Sequence, residues 1–122
     1  MANIIVADDA LFIRKVIKDM VEKVGHSVVG EASDGKIAIE LYKEKRPDLV
    51  IMDITMPNTD GLEALKEIIE FDPQANVIIC SALGQADIVC KAVKMGAKEY
   101  IVKPINELKL LFAIQEVLAI YK

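Results

Sequence analysis

The chain has no tryptophan, one histidine (His26) and two cysteines, Cys80 and Cys90. A single histidine cannot build a His-rich metal site. The two cysteines stand ten positions apart with no Cys-x-x-Cys and no nearby histidine, which points to inert thiols in a reducing compartment. Basic runs interleaved with aromatics are missing. Fifteen Lys and Arg against nineteen Asp and Glu leave a formal net charge of −4, so nucleic acid is not an expected partner. Apolar runs such as Leu110–Ile114 fall far short of the roughly 20 residues a membrane span needs. The first residues carry no basic stretch followed by a hydrophobic segment and a cleavage site, so a cytoplasmic protein without membrane contact is expected. Neither a Gly-x-Gly-x-x-Gly nor a Walker sequence occurs, which argues against a dinucleotide or P-loop nucleotide site.

What is present is apolar and regular. Hydrophobic residues make up 53% and charged residues 28% of the 122, with a mean hydropathy of +0.33. That suits one domain over residues 1–122, burying about two-thirds of the surface its unfolded chain exposes. Short β-branched runs alternate with helical patterns. The spacing predicts strands at Asn3–Ala7, Ser27–Ala32, Asp48–Met52, Asn76–Cys80 and Lys98–Val102, and helices at Leu11–Val24, Asp34–Lys45, Leu62–Glu70, Ala86–Lys94 and Glu107–Tyr121. In the first helix Phe12, Val16, Met20 and Val24 recur at spacing four, with Ile13, Ile17 and Val21 alongside and Arg14 among the charged residues of the other face. Gly25 is expected to close it. Strict alternation of strand and helix predicts right-handed crossovers and a doubly wound parallel sheet covered on both faces. Such a sheet binds its ligand outside the carboxyl ends of its strands.

Those ends carry Asp8-Asp9, Asp53, Ser81 and Lys103. Should the first and third strands be neighbours, three carboxylates share one edge. Two of them about 5 Å apart repel by roughly 3 kcal/mol at an effective dielectric of 20. Helix capping by Asp8 or Asp9 is one explanation, as Asp34 would cap the second helix. A bound cation is the other: Lys103 supplies one positive charge, and oxygen-only ligands favour Mg²⁺ or Mn²⁺ over Zn²⁺. Acids paired with a lysine and a small hydroxyl point to phosphoryl transfer onto a carboxylate. Aspartate is already ionised at neutral pH and needs no general base.

In order along the chain, Asp8-Asp9, Met52-Asp53-Ile-Thr-Met-Pro57, Asp60-Gly61, Ser81-Ala82, Gly96-Ala97 and Lys103-Pro104 resemble the receiver domain of two-component response regulators. The likeness covers essentially the whole length and is strongest to stand-alone chemotaxis regulators. It implies a flavodoxin-like (βα)5 fold with strand order 2-1-3-4-5. It further implies Asp53 as phosphoacceptor and Mg²⁺ held by Asp8, Asp9, Asp53 and the backbone carbonyl of Thr55. Lys103 would bind the phosphoryl group ahead of a cis bond to Pro104. Ser81 would swing toward the phosphoryl oxygens, and Tyr100 would turn inward into the space vacated. A CheA-like histidine kinase, a FliM-like flagellar motor switch protein and a phosphatase are the implied partners of a monomer that acts as a switch rather than a turnover enzyme, catalysing only its own phosphorylation and autodephosphorylation. A phosphorelay intermediate or the excised receiver of a transcriptional regulator would share these residues. A haloacid-dehalogenase-like phosphatase would instead carry Asp-x-Asp after the first strand. By the same likeness Ser81 stands where the family commonly has Thr, and Thr55 and Leu83 would flank the path of the hydrolytic water.

The last helix has a core stripe at Leu110, Ile114, Val117 and Tyr121. Leu108, Phe112 and Ala119 fall on nearly the opposite side. With Tyr100 nearby, Leu108 and Phe112 are expected to form an apolar surface for a partner or for self-association.

Overall fold

The computed structural model describes residues 1–121, with side chains through residue 120. Five strands, β1 (Asn3–Ala7), β2 (Ser27–Ala32), β3 (Leu49–Met52), β4 (Val77–Ser81) and β5 (Glu99–Val102), alternate with five helices. These are α1 (Leu11–Lys23), α2 (Gly35–Lys45), α3 (Gly61–Phe71), α4 (Ala86–Lys94) and α5 (Glu107–Tyr121). Every strand pair is parallel, in the order β2-β1-β3-β4-β5. The accessible surface of 6474 Å² agrees with the roughly 6,500 Å² that a folded chain of this mass exposes.

Burial follows from the two-residue period of strands. Ile5, Ala7, Val50, Met52, Val77 and Ile79 face a core closed by α2, α3 and α4. Ile4, Val6, Leu49, Ile51, Ile78 and Cys80 face a second core closed by α1 and α5. With both faces covered, β3 and β4 are buried at every residue, which is why they read as unbroken apolar runs. Among the described residues no helix is long and apolar enough to cross a membrane.

Two local expectations change. In α1 the buried residues are Ile17 and Val21, with Ile13 and Met20 packed against the same core, while Phe12 is 74% and Val24 43% exposed. Both rows share the same spacing, and only the helix's rotation against the sheet selects between them. Nor does Asp8 or Asp9 cap α1. The N-cap is Ala10, without a side-chain cap, and Asp8 Oδ1 accepts the Ala10 N–H at 2.9 Å. Asp34 does cap α2, accepting from the Ile37 N–H, and Asp60 caps α3 through the Glu63 N–H. Gly25, at φ +99°, closes α1 in a conformation that L side chains rarely adopt.

In α5, Leu110, Ala113, Ile114 and Val117 are buried, whereas Leu108 (77%) and Phe112 (62%) are exposed. Ala119 is exposed as well. The side chain of Tyr121, the fourth residue of the expected stripe, lies outside the described residues.

Candidate functional site at the carboxyl edge of the sheet

Strand register assembles the site. Ala7 pairs with Met52, so the residues that follow, Asp8 and Asp53, emerge side by side. The Asp53 N–H donates to the Ala7 carbonyl and the Asp8 N–H to that of Ala32, both at 2.9 Å, which prolongs the ladders one step past the strands. Ser81 closes β4 opposite Val102, and the Lys103 N–H reaches the Ser81 carbonyl at 2.8 Å. One carboxylate oxygen each from Asp8, Asp9 and Asp53 lies within 4.8 Å of the others.

Burial differs sharply within the cluster. Asp8 is 2% and Asp53 7% exposed, and Asp9 faces solvent. Lys103 reaches back over β4 and places Nζ 2.7 Å from Asp8 Oδ2 and 3.0 Å from Asp53 Oδ2. Burial by itself would lower its pKa. The hydrogen bonds to Asp8 and Asp53 and their charges outweigh that, holding the ammonium above its ordinary value. One cation thus faces three carboxylates, leaving a net charge of −2 in a partly dehydrated pocket. The donor set is all oxygen and compact enough for one small ion, so it fits Mg²⁺ or Mn²⁺ rather than Zn²⁺.

The carboxylates are not equivalent. Both oxygens of Asp8 are engaged at short range, by Ala10 and by Lys103. Asp53 Oδ1 has only a 3.3 Å hydrogen bond from the Thr55 N–H. Asp53 therefore keeps an available lone pair beside a cation, the arrangement a nucleophile needs. Thr55 itself is exposed. The Lys103–Pro104 bond is cis.

Ser81 is fully buried, and its Oγ accepts the Leu83 N–H at 3.1 Å. Tyr100 is half-buried against the core beside Leu83 and Ile88, and its hydroxyl donates to the Leu83 carbonyl. Burial raises the Tyr100 pKa, a hydrogen bond with Ser81 opposes this, and the Asp53 charge adds to it. Leu83 thus links the two, its N–H donating to the Ser81 Oγ and its carbonyl accepting the Tyr100 hydroxyl. Cys80, just before Ser81, is pushed up to about 12 by burial, aided by the Asp53 and Asp8 charges against the opposing Lys103. It remains a thiol at neutral pH. Leu108 and Phe112 stand apart from the carboxylates, on the outer face of α5.

The sequence reading missed Arg14. Assigned to the solvent face of α1, its side chain is only 14% exposed, and a guanidinium N–H donates to the Asp8 carbonyl at 2.6 Å. Helical spacing carried no signal for this, because the acceptor is backbone.

Comparison with known proteins bears on the same residues. Residues 4–115 match the response regulator receiver domain family. Chemotaxis protein CheY of Bacillus subtilis is 52% identical over 116 residues, covering 95% of this chain and 97% of that protein. Chemotaxis protein CheY of Thermotoga maritima is 47% identical over 115 residues, covering 94% and 96%. Among solved structures, the CheX-CheY-BeF3-Mg²⁺ complex from Borrelia burgdorferi superposes with a TM-score of 0.93 at 38% identity, covering 94% of this chain and 87% of that one.

Proposed function

Because the chain belongs to the response regulator receiver domain family and is CheY-like, we propose that it is a chemotaxis switch phosphorylated on Asp53. The observation that carries this is the lysine-bridged cluster: Lys103 Nζ contacts Asp8 and Asp53 while Asp9 completes the carboxylate set. A histidine kinase of the CheA type supplies the phosphoryl group. An Asp53 carboxylate oxygen bonds to phosphorus as the donor's P–N bond breaks, and the bonding pair stays with the imidazole. Lys103 exchanges a carboxylate for a phosphoryl oxygen, and the Ser81 hydroxyl turns toward another. Hydrolysis returns Asp53 when water attacks phosphorus and the carboxylate leaves. The chain's chemistry is on itself, with no separate substrate turned over.

Asp8, Asp9, Asp53 and the Thr55 carbonyl would hold Mg²⁺, which when bound neutralises the carboxylates and polarises the phosphoryl oxygens. The Borrelia burgdorferi relative was solved as a complex with Mg²⁺ and BeF3, which supports a Mg²⁺ site here. That relative was solved in complex with CheX, which supports a protein partner here, and we assign a phosphatase to that role. A cytoplasmic site of action suits a domain that meets a kinase and a flagellar motor. The test is labelling by a small phosphodonor such as acetyl phosphate. With millimolar Mg²⁺ the protein takes up one equivalent, and with EDTA none. Labelling undiminished by EDTA would refute the metal dependence.

The outer face of α5 completes the reading. Leu108 and Phe112, with Tyr100 on the adjoining strand, form the surface that a FliM-like motor switch protein meets. A Leu108→Ser, Phe112→Glu variant should keep its labelling and lose at least tenfold in affinity for that partner, since two apolar anchors of this size carry upward of about 2 kcal/mol. Calorimetric binding equal to wild type would remove the face from the interface.

A further inference from the structure

The end of β2 and the start of α2 contribute no carboxylate to the cluster, yet they are tied to both loops that do. On one side, Glu31 Oε1 accepts a guanidinium N–H of Arg14 at 3.1 Å, and the same guanidinium donates to the Asp8 carbonyl. On the other, Asp34 Oδ2 accepts the Asn58 side-chain N–H at 2.9 Å while its Oδ1 caps α2. Next to it the Gly35 N–H donates to the Thr59 carbonyl at 2.8 Å. The approach is close enough that a Cβ on Gly35 would lie 2.2 Å from that oxygen. β2 is an edge strand that pairs with β1 and not with β3. The links to the 53–60 loop are therefore not a by-product of strand pairing.

We propose that residues 31–35 are a positioning element for the carboxylate cluster, with Glu31 acting through Arg14 on the Asp8-Asp9 loop and Asp34 acting through Asn58 on the loop after Asp53. The inference rests on reading that cluster as a Mg²⁺ site. Like charges push the two loops apart, and the cation can recover only the order that the loops already have. Loops held from outside bind it without first being ordered, as partners behind direct ligands do in metal sites generally. None of these four side chains touches a reacting atom, so they are positioning residues.

Charge effects and positioning predict opposite signs at Arg14, which makes the test sharp. Losing a positive charge beside the carboxylates should by itself tighten Mg²⁺ binding, whereas losing the clamp should weaken it. Asn58 is neutral and sits at φ +63°, so Asn58→Gly removes the amide while keeping a backbone conformation glycine adopts freely. Titrate the full chain with Mg²⁺ by calorimetry, and record the metal-free melting temperature of each variant. The expected result is an about tenfold weaker Mg²⁺ affinity for both Arg14→Gln and Asn58→Gly, with Asn58→Gly melting as the wild type does. An unchanged affinity in Asn58→Gly, or a tighter one in Arg14→Gln, overturns the inference alone. A wild type that takes up no Mg²⁺ overturns the reading of the cluster itself, and that is seen before any variant is compared.

Discussion

An Asp53→Asn protein should take up no label from acetyl phosphate in Mg²⁺ and still show wild-type circular dichroism. The amide has no anionic oxygen, and its nitrogen lone pair is delocalised, so nothing at position 53 can displace a leaving group from phosphorus. Neither neighbour can substitute. Asp8 is the more deeply buried, its carboxylate held by the Ala10 N–H and by Lys103, and Asp9, though exposed, lacks the lysine contact that Asp8 and Asp53 share. The fold should tolerate the change because removing one carboxylate relieves repulsion of roughly 3 kcal/mol per pair at about 5 Å, while the asparagine oxygen can still accept from Lys103. Mass spectrometry after incubation reads the result directly. Labelling of the Asp53→Asn protein at the wild-type rate would remove Asp53 as the acceptor.

Gly61→Ala should be the most damaging single methyl in the site. A Cβ there would lie 2.0 Å from the Asp53 carbonyl oxygen and 2.7 Å from Ile54 Cα, both backbone atoms that cannot rotate aside. The Gly61 N–H also donates to the Ile54 carbonyl at 2.7 Å, so α3 begins directly against the segment that bears Asp53. Accommodating the methyl means lifting α3 off that segment, a strain of at least about 2 kcal/mol. The melting temperature should fall by about 8 °C, taking roughly 4 °C per kcal/mol for a chain of this size. Labelling should slow as well, because the displaced backbone carries the nucleophile. A melt within about 2 °C of wild type would show that the close approach relaxes without cost.

Several features of the site were readable in the one-dimensional pattern because their causes are local. Asp53 and Lys103 end apolar runs, and a parallel sheet gathers its strand ends on one edge wherever the helices pack. The cap at Asp34 and the stop at Gly25 depend on a few adjacent dihedral angles. Leu108 and Phe112 lie opposite Leu110 and Ile114 by helical phase alone. The first helix shows the limit: Phe12 and Ile13 head two apolar rows of equal spacing, and only packing against β1, β2 and α5 shows that the row of Ile13, Ile17 and Val21 is the inner one. Asp8 stands two residues before the N-cap position of α1, where its Oδ1 accepts the Ala10 N–H, and Lys103, 95 positions away, takes its other oxygen.

What the amino-acid order determined by itself is the alternation of five strands with five helices, and the set of chemical groups delivered to the carboxyl edge, since periods of 2 and 3.6 residues settle which way a side chain faces. Only the tertiary structure decided which groups touch. The ammonium between Asp8 and Asp53, the Arg14 clamp on the Asp8 carbonyl, and the Asp34–Asn58 link across two loops join residues far apart in the chain. Periodicity specifies a face and never a neighbour; neighbours follow from strand order and from how each helix is rotated on the sheet.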